Sequence, residues 1–334
     1  MGRDAAGEDL STFAGDGDLL HGAVRLPSRL ALGGDIRGAF VSNDVQDPSG
    51  TATAFFPMQA DLSARVSIGA GVSVSATGGL RGQARSSDTP VPMQNFQSIS
   101  TSRLISREHY VMWQPEVLGP YARAGRFFAP FGLRMAEHIL YVRRDLGFNL
   151  LQESYNLSGG YVAPAWEVHA TAFAPDFVRH IGGTESGFAA YGERRLRADT
   201  IVVGAQTRLA FGNGGNRFIV GGVGKLYLER LRTLLLAEAN LVRLGLDDQA
   251  VPARGQLVGA AGFTVLPTRG VMVTLLAERN QLDLKVRDAG WTAGTGIVNW
   301  FPYPHVDLQL VGRLQAPGGG VLAKTLLAQI HYFL

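Results

Sequence analysis

The feature that most constrains this chain is an alternation of period two, repeated from residue 29 to the last residue. Met58, Ala60, Leu62, Ala64 and Val66 alternate with Gln59, Asp61, Ser63, Arg65 and Ser67. Val306, Leu308, Leu310, Gly312 and Leu314 alternate with Asp307, Gln309, Arg313 and Gln315. Each such run is an extended segment with one apolar face and one polar face, as in an antiparallel sheet wetted on one side. Sixteen runs read near 29–43, 53–68, 72–86, 104–115, 119–128, 150–161, 165–175, 186–198, 200–212, 217–228, 231–246, 255–267, 269–282, 291–304, 306–317 and 321–334. Most exceed the ~5–6 residues of a globular strand and reach the ~9–11 that cross a membrane.

The connections between the runs fall into two sets. Those at 69–71, 116–118, 162–164, 199, 229–230, 268 and 305 are very short. Those at 44–52, 87–103, 129–149, 176–185, 247–254 and 283–290 are longer and lie on the opposite side, with tight links at 213–216 and 318–320 among them. A soluble sandwich has no reason to sort loop lengths by side, whereas a membrane barrel does. The expectation is an all-β fold: one transmembrane antiparallel up-and-down β-barrel of about sixteen strands in a bacterial outer membrane. Short periplasmic turns and longer extracellular loops follow, with 29–334 as the barrel and 1–28 as a periplasmic N-terminal lead-in.

Composition excludes the competing classes. No window of ~20 apolar residues exists for a membrane helix, and the 43 glycines have no three-residue period. There is no cysteine, hence no disulfide, thiolate metal site or cysteine nucleophile. A formal charge of +3 without a basic block gives no sign of a nucleic-acid partner. Met1 precedes Gly-Arg-Asp-Ala-Ala-Gly-Glu-Asp with no apolar stretch, so no signal peptide is legible and mature numbering is expected.

The two faces carry different expectations. Arg243, Arg279 and Lys324 fall on apolar faces but near the long-loop side, where a lipid-facing charge costs ~0–1 kcal/mol instead of ~2–4 at mid-bilayer. Trp113, Trp166, Trp300, Phe301, Tyr303, Phe211, Tyr332 and Phe333 fall at strand ends, as in an interfacial girdle. The lumen should receive Arg37, Arg65, Arg81, Arg208, Lys225 and Arg313, with Asp35, Asp61, Glu167, Glu238, Glu278 and Asp307. Cross-strand ion pairs are the plain role for these residues.

Enzyme chemistry finds no support in spacing. The seven histidines (His21, His109, His138, His169, His180, His305 and His331) form no HExxH or other close ligand pair. Gly221-Gly222-Val223-Gly224-Lys225 has Leu226 where a phosphate loop needs Ser or Thr. No Ser–His spacing stands out either, so no catalytic, cofactor or metal site is expected.

The longest described connection in this reading is rich in Phe, Leu, Ile and Tyr, and a loop with that much apolar surface must bury it. Folding into the lumen is one way. Gly125-Arg126-Phe127, Pro130-Phe131-Gly132 and Tyr155 with Gly159-Gly160-Tyr161 resemble a segment of the phosphate-selective, sixteen-stranded porins. The resemblance covers about 40 residues. It implies that the third long loop folds inward as a constriction, with selectivity from basic residues. Arg134, Arg143 and Arg144 stand in this loop beside Glu137 and Asp145, without a dense lysine cluster. The C-terminal run, with Tyr332 two places from the end, also resembles the last strand of outer-membrane proteins, although Leu334 replaces the usual Phe.

Together these imply a porin-like channel for passive diffusion of small hydrophilic solutes or anions, constricted by 129–149. The alternative is a barrel that anchors or ensheathes a partner protein in an envelope complex for motility, secretion or electron transfer. Expected partners are outer-membrane lipid and lipopolysaccharide, and either further copies of the chain or envelope-complex proteins.

Overall fold

The computed structural model describes residues 26–45, 51–82, 104–149, 152–176, 185–197, 200–212, 215–245, 253–318, 320 and 322–334. Sixteen strands follow in order: β1 Leu30–Val45, β2 Thr51–Gly69, β3 Val72–Arg81, β4 Leu104–Trp113, β5 Gly119–Phe127, β6 Ser154–Val162, β7 Trp166–Ala174 and β8 Ser186–Leu196. They continue with β9 Ile201–Gly212, β10 Gly215–Leu228, β11 Thr233–Gly245, β12 Arg254–Thr268, β13 Val271–Gln281, β14 Gly290–Tyr303, β15 Val306–Pro317 and β16 Ala323–Phe333. One helical turn, α1 (Tyr141–Arg144), lies between β5 and β6. Every strand pairs with its sequence neighbours, and β1 pairs antiparallel with β16 to close the barrel. Residues 1–25 of the expected lead-in at 1–28, and the expected extension of the third strand over 83–86, lie outside the described residues.

The period-two pattern decides which face meets which medium. On β2 Leu62 is 64% exposed while its neighbour Asp61 is buried. On β15 Leu310 and Leu314 point outward and are exposed, while Asp307, Val311 and Arg313 point inward and are buried. Exposed Leu, Val and Ile on the outside, with buried polar groups within, invert a water-soluble barrel and suit a lipid solvent. Arg243 and Lys324 are exposed on the outer face toward the long-loop end. Arg279 donates to Thr292 Oγ1 at 2.8 Å.

At the short-turn end Trp113, Tyr161, Trp166, Trp300 and Tyr303 are exposed, and the Tyr161 and Trp166 rings stack at 5.3 Å. Phe211 and Phe218 are exposed at the opposite end. Phe333 departs from the girdle expectation: its ring lies 5.8 Å from His305 and 5.3 Å from His331, within the inward cluster that ends β16.

The inner wall is not uniformly polar. Phe173, Ile219, Leu236, Val242, Val258 and Leu276 form one apolar cluster with the segment that follows β5. Strands such as β11 therefore carry apolar residues on both faces at this level, where alternation alone suggests a wet, charged lining.

Candidate functional site

The segment between β5 and β6 lies inside the barrel. Phe131, Leu140, Tyr141, Val142, Leu146 and Phe148 are buried against the apolar wall. Each fully buried side chain of this size stabilises by about 1.5–3 kcal/mol, so this contact is the main source of docking energy.

Polar tethers fix the register of the docking. Gly132 N donates to Gln206 Oε1 at 2.7 Å, and Leu133 N donates to Glu238 Oε2 at 2.8 Å. Tyr141 N donates to Glu278 Oε2 at 2.6 Å, so the carboxylate meets the unsatisfied N–H at the start of α1. Arg208 Nη1 donates to Leu146 O at 3.0 Å, and Arg217 Nη1 donates to Asp145 O at 3.1 Å. Asn280 Nδ2 donates to Asp145 Oδ2 at 2.7 Å. Gly132 has φ +67, and a Cβ there would lie 2.6 Å from Glu238 Oε1, so glycine serves both the left-handed turn and the close approach.

The loop residues singled out from sequence take distinct roles. Arg143 donates from Nε to Phe148 O at 2.8 Å and from Nη1 to Met135 O, which ties the two limbs of the loop together. Arg144 pairs with the adjacent Asp145 at 3.2 Å and lies over the Tyr141 ring. Arg313 covers the same ring from the wall and pairs with Glu278. Burial among these groups pushes the Tyr141 phenol up to about 12. Glu137 is half-buried, and desolvation raises its carboxyl above the usual range, opposed by Arg143 and assisted by Asp307. Arg134 is exposed at φ +54 and makes no ion pair among the described residues.

Most lumen cations are neutralised in place. Arg37 pairs with Asp35 at 3.3 Å, and Lys225 pairs with Glu193 at 2.9 Å. Arg208 and Arg217 share Glu185 at 3.0 and 2.5 Å. Arg65 sits on the inner face of β2 and is exposed. Arg81 ends β3 opposite Gln59, and its side chain lies outside the described residues. Asp307 accepts from Asn299, and Glu167 holds Arg195 at 2.5 Å.

Several residues of this lining were not singled out from sequence. Arg107 is the extra residue of a bulge between Thr77 and Gly78, and reaches Asp61 at 3.0 Å. Arg126 pairs with Asp176, and Arg123 projects inward from β5 with its guanidinium 3.7 Å over the Phe127 ring. Strand parity would have found Arg123 and Arg217. Nothing in the sequence marks the bulge at Arg107. Ser106 Oγ and His109 Nδ1 meet at 2.8 Å, a Ser–His pair that spacing did not suggest. His109 shares the outward parity of the exposed Val111 and Trp113, away from the bore.

Solved structures resemble this arrangement in fold. Pseudomonas putida OprB superposes with a TM-score of 0.66 at 10% identity, over 91% of this chain and 94% of its own. An anion-selective porin from Comamonas acidovorans gives 0.66 at 9% identity, over 91% and 99%. Vibrio cholerae OmpT in a trimer form gives 0.63 at 10%, over 91% and 99%. This chain has the outer-membrane porin fold. No protein-family model matches the sequence, and no curated protein matches it, so the likeness speaks for the barrel rather than for a particular solute.

Proposed function

We propose that the protein is an outer-membrane channel for passive diffusion of small hydrophilic solutes, narrowed at the docked segment 129–149 and biased toward anions. One observation carries this reading: the segment is held inside the bore by backbone tethers to Gln206, Glu238 and Glu278 as well as by its apolar core. Sixteen strands enclose an aqueous channel unless something fills it, and a loop fixed inside the bore would narrow that path. The long-loop end is read as extracellular and the termini as periplasmic. Binding phosphate in particular, as the family resemblance implies, would draw on the same arginines, but their small number supports a broader anion preference.

Chemistry at the aperture points the same way. Arg134 is exposed and makes no ion pair among the described residues, whereas Arg144 pairs with Asp145. In a narrowed path with reduced effective dielectric, a fixed charge acts more strongly than on an open surface. An ensheathing barrel would need its bore free for a partner, and the docked segment disfavours that alternative. No reaction is assigned to the barrel. Further copies of the chain, as in the OmpT trimer form, are the partner proposed beside lipid and lipopolysaccharide.

The test is conduction by the purified chain in planar bilayers. A reversal potential on the anion side is expected, with a shift toward cations when Arg134, Arg143 and Arg144 become Ser. Deleting 134–145 should raise conductance. A barrel that does not conduct, or whose bore is filled by a co-purifying protein, overturns the reading.

A further inference from the structure

Beside the tethered core, the inward segment encloses a small cavity of about 100 Å³. Phe128, Phe131, Val142 and Phe148 form its apolar walls, and Arg134 and Arg143 line it as well. The Phe131 and Phe148 rings stack at 4.9 Å with a 17° interplanar angle, which gives the cavity one flat aromatic wall. Glu238 also borders it, but both its oxygens are occupied by donors from Leu133, Gln206 and Asn240.

The cations here differ from those elsewhere in the bore. Arg134 makes no ion pair among the described residues, and Arg143 is bonded to carbonyl oxygens rather than to an acid. The Arg143 guanidinium lies 5.4 Å from the centroid of the Phe128 ring, and an arginine's fork of N–H donors matches a carboxylate. Arg134 also stands in left-handed backbone, where glycine would be less strained, so the position bears a cost to carry a charge.

We propose that this cavity and its arginines bind small organic carboxylates that carry an apolar body, as they pass through the channel. The carboxylate is met by Arg134 and Arg143, and the hydrocarbon part lies against the apolar walls of Phe128, Phe131, Val142 and Phe148. An aromatic wall rewards loss of apolar surface from water, and it offers nothing to a hydrated halide or a phosphate dianion. This inference rests on the channel reading and refines it to a class of solute.

Benzoate is the probe, with formate and inorganic phosphate as comparators. Benzoate added to one side of a bilayer holding the full chain should reduce the KCl current. Its half-blocking concentration should lie about tenfold below that of either comparator. Arg134→Gln should raise that concentration about tenfold. Phe128→Leu, which trims the wall and leaves the charges, should weaken benzoate block without moving the KCl reversal potential. Calorimetric titration of the detergent-solubilised chain with benzoate reads the same site without conduction and should give the same order of affinities. Equal block by all three anions, or no effect of Arg134→Gln, would overturn the inference. An anion-preferring channel that fails to discriminate among them leaves the channel reading standing, whereas a barrel that binds benzoate yet never conducts overturns that reading alone.

Discussion

Arg208 of β9 donates from Nη1 to the carbonyl oxygen of Leu146, 62 residues away in sequence, at 3.0 Å. The wall thereby caps a carbonyl just beyond α1 that the short helix leaves unsatisfied. Glu185 pairs with Arg208 at 3.0 Å and also holds Arg217, so one carboxylate serves two guanidiniums at this tether. A hydrogen bond to a charged group contributes about 1.5–3 kcal/mol, which is more than a tenfold change in the docked population. Arg208→Met keeps the length and loses the donors. Its expected outcome is a noisier single-channel current with larger open levels, while heat-modifiable migration on gels, a readout of barrel closure, stays unchanged.

The outer wall gives a prediction with an internal control. Leu62, Val74, Val203 and Leu310 are exposed on the lipid face, so Arg at any of them should cost about 2–4 kcal/mol at mid-bilayer. Arg at Ser63, Ser75 or Gln309, on the inner face, should fold into vesicles with near wild-type yield. Gln206 is a different case: it is buried and bonds Gly132, Glu238 and Asn240, so Arg there should disturb the loop although it faces inward. Folding yield into lipid vesicles, with conductance for the Gln206 variant, separates these cases.

How far the sequence carries is visible in these same residues. Leu62 beside Asp61 is a local pattern, and the sixteen strands follow from many such pairs. The antiparallel barrel and the sorting of loop lengths were legible for that reason. The apolar content of 129–149 also implied burial, and the loop is inside. What could not be read is the wall that receives it. Leu236 and Val242 look like ordinary strand residues, and only the closed register puts them beside Tyr141 and Leu146. Arg107 escaped because a bulge shifts parity by one residue. The roles of Arg143 and Arg144 depend on the loop's own geometry, so sequence could treat them only as equal charges.

Glu137 sets a pH dependence. Desolvation by burial raises its carboxyl above the ordinary value, with Asp307 adding to the rise and Arg143 opposing it. A raised carboxyl favours the docked loop when protonated. That stabilisation is complete below the free-carboxyl value of ~4.3 and is lost as pH rises through the docked value. Lowering the pH from 7 should neutralise Glu137 and make the loop more positive. The anion bias should therefore increase in mild acid, at a pH above that of a free glutamate. Glu137→Gln should show the acid selectivity already at pH 7 and lose this step. Reversal potentials across a fixed KCl gradient from pH 7 to 4 read both.

Sidedness can be tested because the chain holds no cysteine of its own. Ser98 and Asp248 belong to connections of the long set, between β3 and β4 and between β11 and β12. Single cysteines there should react with an impermeant thiol reagent on intact cells. On the short-turn side Gly71 is a poor choice, because its φ is +77 and a Cβ would lie 2.5 Å from Pro115 Cα. Glu229 and Arg269 are exposed in turns of the same set and can be replaced without that strain. Glu185 is equally unsuitable on the long side, since it pairs with both Arg208 and Arg217. The expected result is labelling at 98 and 248 on intact cells, and at 229 and 269 only after the outer membrane is opened. Labelling of 229 and 269 on intact cells, with 98 and 248 protected, would invert the barrel. The aperture at 129–149 would then be reached from the periplasmic side first, and a solute entering from outside would meet the short turns before the arginines.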